Sequence, residues 1–299
     1  MSSLAESIQI GDLRVRRLAF GAVRLTGPNL WGEPPNRQEA KRVLRRAIDL
    51  GVDLIDTADS YGPDVSENII AEALHPYPPN LVIATKGGLI RYKPSDWIPR
   101  GTPDHLKQAC EASLKRLKLD RIDVYQLHAP DPDVPLESSI GALAELREQG
   151  KIRHVGLSNV TFDQLRLAQQ IVPIVWVQNR YNIFDRVSED VLKICEREQL
   201  AFGAWHPLDG TGITEPRSML ARVASSHGAT PAQVAIAWLL HRSPAIVPLP
   251  GTSSVRHLEE NMLGGKLLLD SRDIQDLEAE QTNQGPGLTW LTRAEVNRY

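Results

Sequence analysis

Residues 152–179, IRHVGLSNVTFDQLRLAQQIVPIVWVQN, contain a complete strand–helix–strand unit. The β-branched runs IRHVGLS (152–158) and PIVWVQN (173–179) have the composition of buried strands. Between them lies a longer amphipathic segment that Thr161 can cap. Because parallel strands need a crossover connection of this length, the segment predicts two parallel neighbours in one sheet.

The same unit recurs on both sides of this segment. The further predicted strands are LAFG (18–21), VDLID (52–56), LVIAT (81–85), IDVYQL (122–127), LAFGAW (200–205) and AIVPLP (245–250). The further helices are predicted at 36–50 and 65–74, from Thr102-Pro103, from Pro135 to Gly150, after a Ser188 cap, from Thr230-Pro231 and from near Ser253. Eight such units over about 250 residues predict an α/β fold of the (β/α)₈ TIM-barrel type.

Two segments fall outside the repeating units. Residues 7–17, SIQIGDLRVRR, predict a β-hairpin with a Gly-Asp turn that caps the bottom of the barrel (18–269). Residues 270–299 predict a C-terminal helix and tail. Since no linker interrupts the chain, we expect one domain over 1–299. A doubly wound sheet would need G-x-G-x-x-G after the first strand, and the nearest match, Gly210-Thr211-Gly212, follows the seventh strand without a third glycine.

The composition narrows the possible partners and surroundings. The 299 residues carry a formal net charge of −3, which gives no reason to expect nucleic acid. There is neither an N-terminal signal pattern nor an apolar run of about 20 residues, so we expect a cytoplasmic protein without membrane contact. Cys110 and Cys195 are expected to be buried and reduced. Whether the protein is a monomer or a homo-oligomer stays open.

Four titratable residues follow the ends of three adjacent predicted strands. Asp56 ends the second strand, Tyr61 follows in DTADSYG, Lys86 ends the third in TKGG, and His128 ends the fourth in QLHAPDP. Catalytic groups in barrels lie at the carboxyl ends of strands and in the loops after them. We therefore expect these side chains to converge at one rim.

Together these groups suit the reduction of a carbonyl. Tyr61, with an ordinary pKa near 10, remains a proton donor at neutral pH. Lys86 would lower that pKa by stabilising the phenolate, and Asp56 would hold the lysine in a charge-assisted pair. A neutral His128 could donate a hydrogen bond to the substrate oxygen and orient it.

Two other chemistries fit the sequence poorly. Asp53, Asp59 and Asp64 lie near Asp56, but no His or Cys ligands accompany them, so no metal site is expected. GLSNV (156–160) is similar to a nucleophile elbow around Ser158, but its fifth residue is valine where that motif needs glycine.

The chain resembles the aldo-keto reductase superfamily from Leu18 to about Leu269. The resemblance rests on GVDLIDTADSYG with SEN after it, TKGG, LDRIDVYQLHAPDP, GKIRHVGLSN, QNRYN and PGTSSVRHLEEN, in the family's order and spacing. It implies a catalytic tetrad of Asp56, Tyr61, Lys86 and His128, with Tyr61 as general acid. It also implies 4-pro-R hydride transfer from NADPH bound in an extended conformation.

The resemblance also implies the cofactor contacts. The residues expected around NADPH are Ala22, Ser158, Asn159, Gln178, Trp205, His206, Pro207, Leu208, Gly251, Thr252, Ser253, Arg256, His257, Glu260 and Asn261. Ser158, Asn159 and Gln178 would meet the nicotinamide carboxamide, and Trp205 would stack on its ring. The segment from 251 onward would hold the adenosine 2′-phosphate. Many relatives have lysine or arginine at 251, 254 or 257; here Arg256 is the candidate substitute.

Substrate and role are inferred from the same resemblance. Trp31, Trp97 and Trp290 lie where family members line the substrate pocket, and similarity to bacterial oxidoreductases that include pyridoxal reductases suggests pyridoxal or another polar aldehyde or keto compound. The alternative is a non-catalytic NADPH-binding regulatory subunit like the potassium-channel β-subunits. That role predicts a long N-terminal inactivation segment or a broad oligomer face, whereas this chain retains all four tetrad residues, which favours the reductase.

Overall fold

The computed structural model describes residues 6–208, 215–216 and 218–279, in which strands and helices alternate. The strands are β1 (Ser7–Ile10), β2 (Leu13–Arg16), β3 (Phe20–Gly21), β4 (Leu54–Asp56), β5 (Val82–Gly87), β6 (Leu89–Ile90), β7 (Ile98–Pro99), β8 (Ile122–Leu127), β9 (Ile152–Ser158), β10 (Ile174–Arg180), β11 (Ala201–Trp205) and β12 (Ile246–Pro248). The helices are α1 (Arg37–Asp49), α2 (Val65–Leu74), α3 (Pro103–Leu117), α4 (Leu136–Glu148), α5 (Phe162–Gln169), α6 (Glu189–Glu198), α7 (Met219–Ser226), α8 (Pro231–Arg242), α9 (Val255–Gly264) and α10 (Ser271–Ala279).

Eight parallel strands form one closed sheet. Their order is β3-β4-β5-β8-β9-β10-β11-β12. Backbone hydrogen bonds from Ala19 N to Pro248 O (3.2 Å) and from Gly21 N to Pro250 O (3.1 Å) join the first strand to the last. The predicted (β/α)₈ barrel is therefore confirmed, with strand ends within two residues of those predicted.

The N-terminal hairpin closes the barrel at the amino ends of the strands. β1 and β2 pair antiparallel around Gly11-Asp12, and Gly11 takes the left-handed φ of +64° that favours glycine in tight turns. Ile10 and Val15 are buried in one cluster with barrel residues that include Leu54 and Val82, which begin their strands. The hairpin does not cover the opposite end of the barrel, where the carboxyl ends of the strands lie.

Helices begin after the predicted cap residues, but only some of these residues make a capping hydrogen bond with their side chain. Thr161 and Thr230 form full capping boxes with Gln164 and Gln233, whereas Asn36 accepts a hydrogen bond from Glu39 N without the reciprocal bond. Thr102 and Ser188 precede their helices without a side-chain capping bond. Helix α7 was not predicted, and it precedes α8 on the connection after β11.

The barrel interior is filled around Trp176, which is fully buried. Its indole lies against two glycines on neighbouring strands, Gly156 and Gly203; a Cβ at Gly203 would overlap the ring. Outside the sheet, the helices bury a second layer that includes both cysteines, Cys110 and Cys195, as predicted. None of the described helices is long and apolar enough to cross a lipid bilayer.

Candidate active site

A buried ion pair joins the second and third barrel strands at their carboxyl ends. Lys86 Nζ donates to Asp56 Oδ2 at 2.6 Å and to the carbonyl oxygen of Thr57 at 2.8 Å. The two residues are only 1 % and 3 % exposed. Burial alone would lower the pKa of Lys86, but the charge of Asp56 and the Tyr61 hydroxyl outweigh it, so the pKa is raised and the ammonium persists.

Two glutamines also donate hydrogen bonds to Asp56. Gln126 Nε2 donates to Oδ1 at 3.0 Å, and Gln178 Nε2 donates to Oδ2 at 2.9 Å. Gln126 is itself fixed by Trp176, whose Nε1 donates to Gln126 Oε1 at 3.0 Å. Every one of these partners is a donor, which is the environment that a buried carboxylate requires. Gln126 was missed by the sequence analysis, although it lies in the motif that contains His128.

Tyr61 lies within reach of this ion pair. Lys86 Nζ is 3.3 Å from Tyr61 Oη and 5.0 Å from the centre of the ring. Burial raises the pKa of Tyr61 and outweighs the lowering effect of the Lys86 charge. The expectation that Lys86 lowers the pKa of Tyr61 was therefore right in the sign of the charge effect but wrong in the net direction. The phenol remains protonated at neutral pH.

His128 faces Tyr61 across the open end of the barrel. Their ring centroids are 5.8 Å apart and nearly perpendicular, and His128 Nδ1 lies 3.3 Å from Ser60 Oγ. Burial, followed by the charges of Lys86 and Arg91, holds the pKa of His128 well below its usual value. The imidazole is therefore neutral at neutral pH and can donate or accept a hydrogen bond.

The four residues surround one cavity of about 240 Å³. Besides Asp56, Tyr61, Lys86 and His128, its lining includes Gly21, Ala22, Val23, Arg24, Leu30, Leu89, Trp97, Ser158, Asn159, Gln178, Trp205, His206, Pro207, Leu208, Leu249, Pro250 and Gly251. The structure thus brings the predicted tetrad together with the first part of the predicted cofactor set. The cavity is open where the carboxyl ends of the strands meet.

One end of the cavity presents amide and hydroxyl groups. Gln178 Oε1 is buried and lacks a hydrogen-bond partner among the described residues. Asn159 bridges the site: its Nδ2 donates to Ser158 Oγ (2.9 Å) and to the His128 carbonyl (3.0 Å), and its Oδ1 accepts from Trp205 Nε1 (3.0 Å). A buried acceptor without a partner is costly, so Gln178 marks a position for a ligand N–H group.

The predicted phosphate segment lies mostly beyond the cavity lining. Of Gly251, Thr252, Ser253, Arg256, His257, Glu260 and Asn261, only Gly251 lines the cavity. Ser253, Arg256 and His257 are exposed, whereas Thr252 and Asn261 are buried. Arg256 Nη2 donates to His257 Nε2 at 2.8 Å, so the candidate cation is held by its neighbour.

Arg24 is a cationic residue in the cavity lining that the sequence analysis missed. It is exposed, lines the cavity beside Gly251, and makes neither a hydrogen bond nor an ion pair with the described residues. A Cβ at Gly251 would lie 2.5 Å from Gly21 O and 3.5 Å from Arg24 Cγ. A basic side chain at 251 is therefore sterically disfavoured, and Arg24 occupies the space beside it. Its position four residues past Phe20 offered no sequence signal.

The three tryptophans proposed as pocket walls have different placements. Trp97 lines the cavity and packs edge-on against Tyr61 and His128, with ring centroids 6.5 and 6.4 Å apart. Trp31 does not line it and instead contacts Arg91, 5.2 Å from the centre of the ring. Trp290 lies outside the described residues. Within the described chain there is also no group of three or more metal-ligating side chains.

Comparison with known proteins identifies relatives of this arrangement. The model of the aldo/keto reductase family matches residues 17–281. Pyridoxine 4-dehydrogenase from Escherichia coli is 43 % identical over 281 residues, covering 92 % of this chain and 98 % of that protein. A thermostable aldo-keto reductase solved with the inhibitor epalrestat has a TM-score of 0.80 at 30 % identity, covering 92 % of this chain and 99 % of the other. A Klebsiella pneumoniae aldo-keto reductase in complex with NADPH has a TM-score of 0.79 at 24 % identity, covering 93 % and 95 %.

Proposed function

Because this chain belongs to the aldo/keto reductase family, we propose that it reduces an aldehyde or ketone to an alcohol with NADPH. The family makes the protein an oxidoreductase. The proposal concerns the reaction, the residues that carry it and the substrate class. Like other hydride transfers of this kind, the reaction is reversible in principle.

The residues beside the tetrad fit a nicotinamide. Gln178 Oε1, which has no partner among the described residues, suits the N–H₂ group of a carboxamide, and the Ser158 hydroxyl next to it, which accepts from Asn159 Nδ2, can donate a hydrogen bond. The indole of Trp205, held by Asn159, supplies an aromatic wall. Arg24 and the 251–261 segment supply the surroundings for the phosphates. Bound NADPH supplies the hydride that reduces the carbonyl carbon.

Tyr61 donates the proton that the reduced oxygen requires. As negative charge develops on the carbonyl oxygen, the Tyr61 hydroxyl transfers its proton and becomes a phenolate beside the Lys86 ammonium, 3.3 Å away. Asp56 holds that ammonium in place and, by compensating its charge, keeps it protonated in the barrel interior. Lys86 thus stabilises the charge that is left on Tyr61, until the phenolate takes up a proton again before the next turnover.

His128 orients the carbonyl oxygen toward Tyr61. Since Ser60 engages Nδ1, the other ring nitrogen, Nε2, is the one proposed to hydrogen-bond the substrate. The low pKa of His128 leaves Tyr61 as the proton donor, because a neutral imidazole is a far weaker acid than an imidazolium. Positioning and proton donation are therefore divided between two side chains.

The substrate is proposed to be pyridoxal or another polar aromatic aldehyde. The Escherichia coli relative is a pyridoxine 4-dehydrogenase, and pyridoxal is the aldehyde formed when the 4-hydroxymethyl group of pyridoxine is oxidised. Leu30, Leu89 and Trp97 give the cavity an apolar wall for a flat ring, next to the polar tetrad. A keto compound of similar size is the next class to test.

The observation that carries the proposal is the 3.3 Å approach of Lys86 Nζ to Tyr61 Oη, beside a Gln178 Oε1 that has no hydrogen-bond partner among the described residues. The test is NADPH consumption by the purified protein with pyridoxal and with 4-nitrobenzaldehyde, followed by the nicotinamide absorbance. We expect turnover with both aldehydes and formation of pyridoxine from pyridoxal. Measurable NADPH binding without turnover of any carbonyl would contradict the proposal and favour a regulatory subunit.

A further inference from the structure

Arg91 is a buried arginine whose hydrogen-bonding capacity is filled by main-chain oxygens. It lies in the loop after the third barrel strand and is 7 % exposed. Its acceptors are the carbonyl oxygens of Asn29 (3.3 Å), Leu30 (2.5 Å), Ser60 (3.3 Å), Pro94 (2.5 Å) and Asp96 (3.1 Å). A guanidinium has five N–H donors, so each one has an acceptor, and none of these acceptors is a carboxylate.

Two indoles lie against the same guanidinium. Its central carbon is 3.9 Å from the centre of the Trp97 ring and 5.2 Å from that of Trp31. Both distances fall within the range of cation–π attraction, which strengthens where water is excluded. The group is therefore held by hydrogen bonds and by aromatic contacts at once.

These contacts connect three of the loops that form the open end of the barrel. Asn29 and Leu30 follow the first strand, Ser60 follows the second and precedes Tyr61, and Pro94 and Asp96 follow the third. Asn29 and Leu30 have left-handed φ angles of 55° and 58°, a strained conformation for a leucine. Arg91 does not line the cavity itself. Leu30 and Trp97, which it contacts, both do.

We infer that Arg91 is a positioning residue that sets the shape of the substrate pocket by holding Leu30 and Trp97 in place. The inference rests on the proposed carbonyl-reductase function, because it assigns the Leu30–Trp97 side of the cavity to the substrate. A lysine could preserve the charge but has three donors on a single nitrogen, so it cannot reach five carbonyl oxygens in three loops. The planar fork of donors, rather than the charge alone, makes the connection.

The test compares Arg91→Met, Arg91→Lys and Lys93→Met in the full-length protein. Lys93 is a matched control because it lies in the same loop but is exposed, and its one ion pair with the described residues is to Asp96, at 3.8 Å. The measured quantities are KM and kcat for pyridoxal and 4-nitrobenzaldehyde, and the Kd for NADPH by fluorescence titration. We expect Arg91→Met to raise KM about tenfold or more, with the NADPH Kd changed less than about twofold.

We expect Arg91→Lys to resemble Arg91→Met, and Lys93→Met to resemble the wild type. An unchanged KM in Arg91→Met, full recovery in Arg91→Lys, or an equal loss of NADPH affinity would overturn the inference.

A second variant, Trp31→Leu, covers the case in which Arg91→Met does not fold. It removes one of the two indoles that contact the Arg91 guanidinium, and Trp31 does not line the cavity. We expect it to raise KM about threefold or more. An unchanged KM there would overturn the inference as well. Absence of turnover in the wild type would count against the proposed function, whereas wild-type turnover with unaltered variants counts against the role of Arg91 alone.

Discussion

Replacing Asp56 by asparagine is expected to destabilise the protein and to change its pH dependence. Asp56 accepts hydrogen bonds from Lys86, Gln126 and Gln178, all of which are donors. An asparagine would turn an N–H₂ group toward at least one of them and leave the buried ammonium without its counter-charge. Removing one partner of a buried ion pair costs about 3–5 kcal/mol, out of a typical total of about 5–15 kcal/mol.

The pH dependence follows from the pKa of Lys86. In the wild type this pKa is raised above the ordinary 10.5, so the ion pair stabilises the fold below that pH and the stabilisation is lost only as the pH rises through the folded-state value. In Asp56→Asn the largest effect that raises the pKa of Lys86 is removed, so we expect burial to lower this pKa below its ordinary value. The destabilisation is then complete at low pH and is relieved as the pH rises toward 10.5, because the unfolded chain binds the proton more tightly.

The measurement is the free energy of unfolding in urea at several pH values, alongside kcat for an aldehyde. The matched control is Asp53→Asn, since Asp53 is a half-buried carboxylate that accepts a hydrogen bond from Arg16 N (2.9 Å) near the hairpin end. We expect the control to lose about 1 kcal/mol and to keep its activity. For Asp56→Asn we expect kcat to fall about 100-fold or more. Equal stability losses in both variants, or an Asp56→Asn curve without the rise toward high pH, would refute the reasoning.

Three further predictions address the cofactor, the imidazole and the barrel interior. Arg24→Gln should weaken NADPH binding about tenfold in a fluorescence titration, corresponding to about 1.4 kcal/mol, and Arg256→Gln should weaken it less; equal effects would remove the special role of Arg24. His128→Ala should lower kcat more than it weakens NADPH binding. Because the pKa of His128 is held well below its ordinary 6.5, wild-type kcat/KM should not fall through protonation of this ring as the pH is lowered from 8 to 6.5. Gly203→Ala should destabilise the fold by about 1–3 kcal/mol because its Cβ overlaps Trp176, whereas Gly141→Ala, in open space on helix α4, should stabilise it by up to about 1 kcal/mol; similar midpoints in urea for both would contradict the packing argument.

The fold and the convergence of Asp56, Tyr61, Lys86 and His128 on one cavity were predictable because both depend on local sequence patterns. Alternating β-branched and amphipathic segments define the strand and helix order, and parallel strands place their carboxyl ends at one rim. Asp56, Lys86 and His128 lie at such ends, so their convergence follows from the topology alone. The register of β5 with β8, in which Lys86 pairs with Gln126, then fixes the neighbours.

Contacts between loops were not predictable in the same way. Arg91 interacts with loops that follow three different strands, and its sequence context, LIRYKPSDW, carries no motif for this role. Trp31 was grouped with Trp97 by its position after a strand, but the left-handed turn at Asn29 and Leu30 directs the chain so that Trp31 contacts Arg91 and not the cavity. Such placements depend on contacts among several loops at the open end of the barrel, and no single segment of the sequence specifies them.

Desolvation was likewise invisible in the sequence. The proximity of Lys86 to Tyr61 suggested a lowered pKa, yet burial of the hydroxyl dominates and raises it. Similarly, the absence of a basic residue at Gly251 has a steric cause, the approach of Gly21 O, which only the closed barrel reveals.

The most direct test of the proposed chemistry is the Tyr61→Phe variant, which deletes one hydroxyl and keeps the ring. Aldehyde reduction under single-turnover conditions and the NADPH Kd should be measured on the same preparation. We predict a rate lower by about 100- to 10,000-fold with NADPH affinity changed less than about twofold. A variant that retains the wild-type rate would show that another group supplies the proton and would contradict the role assigned to Tyr61.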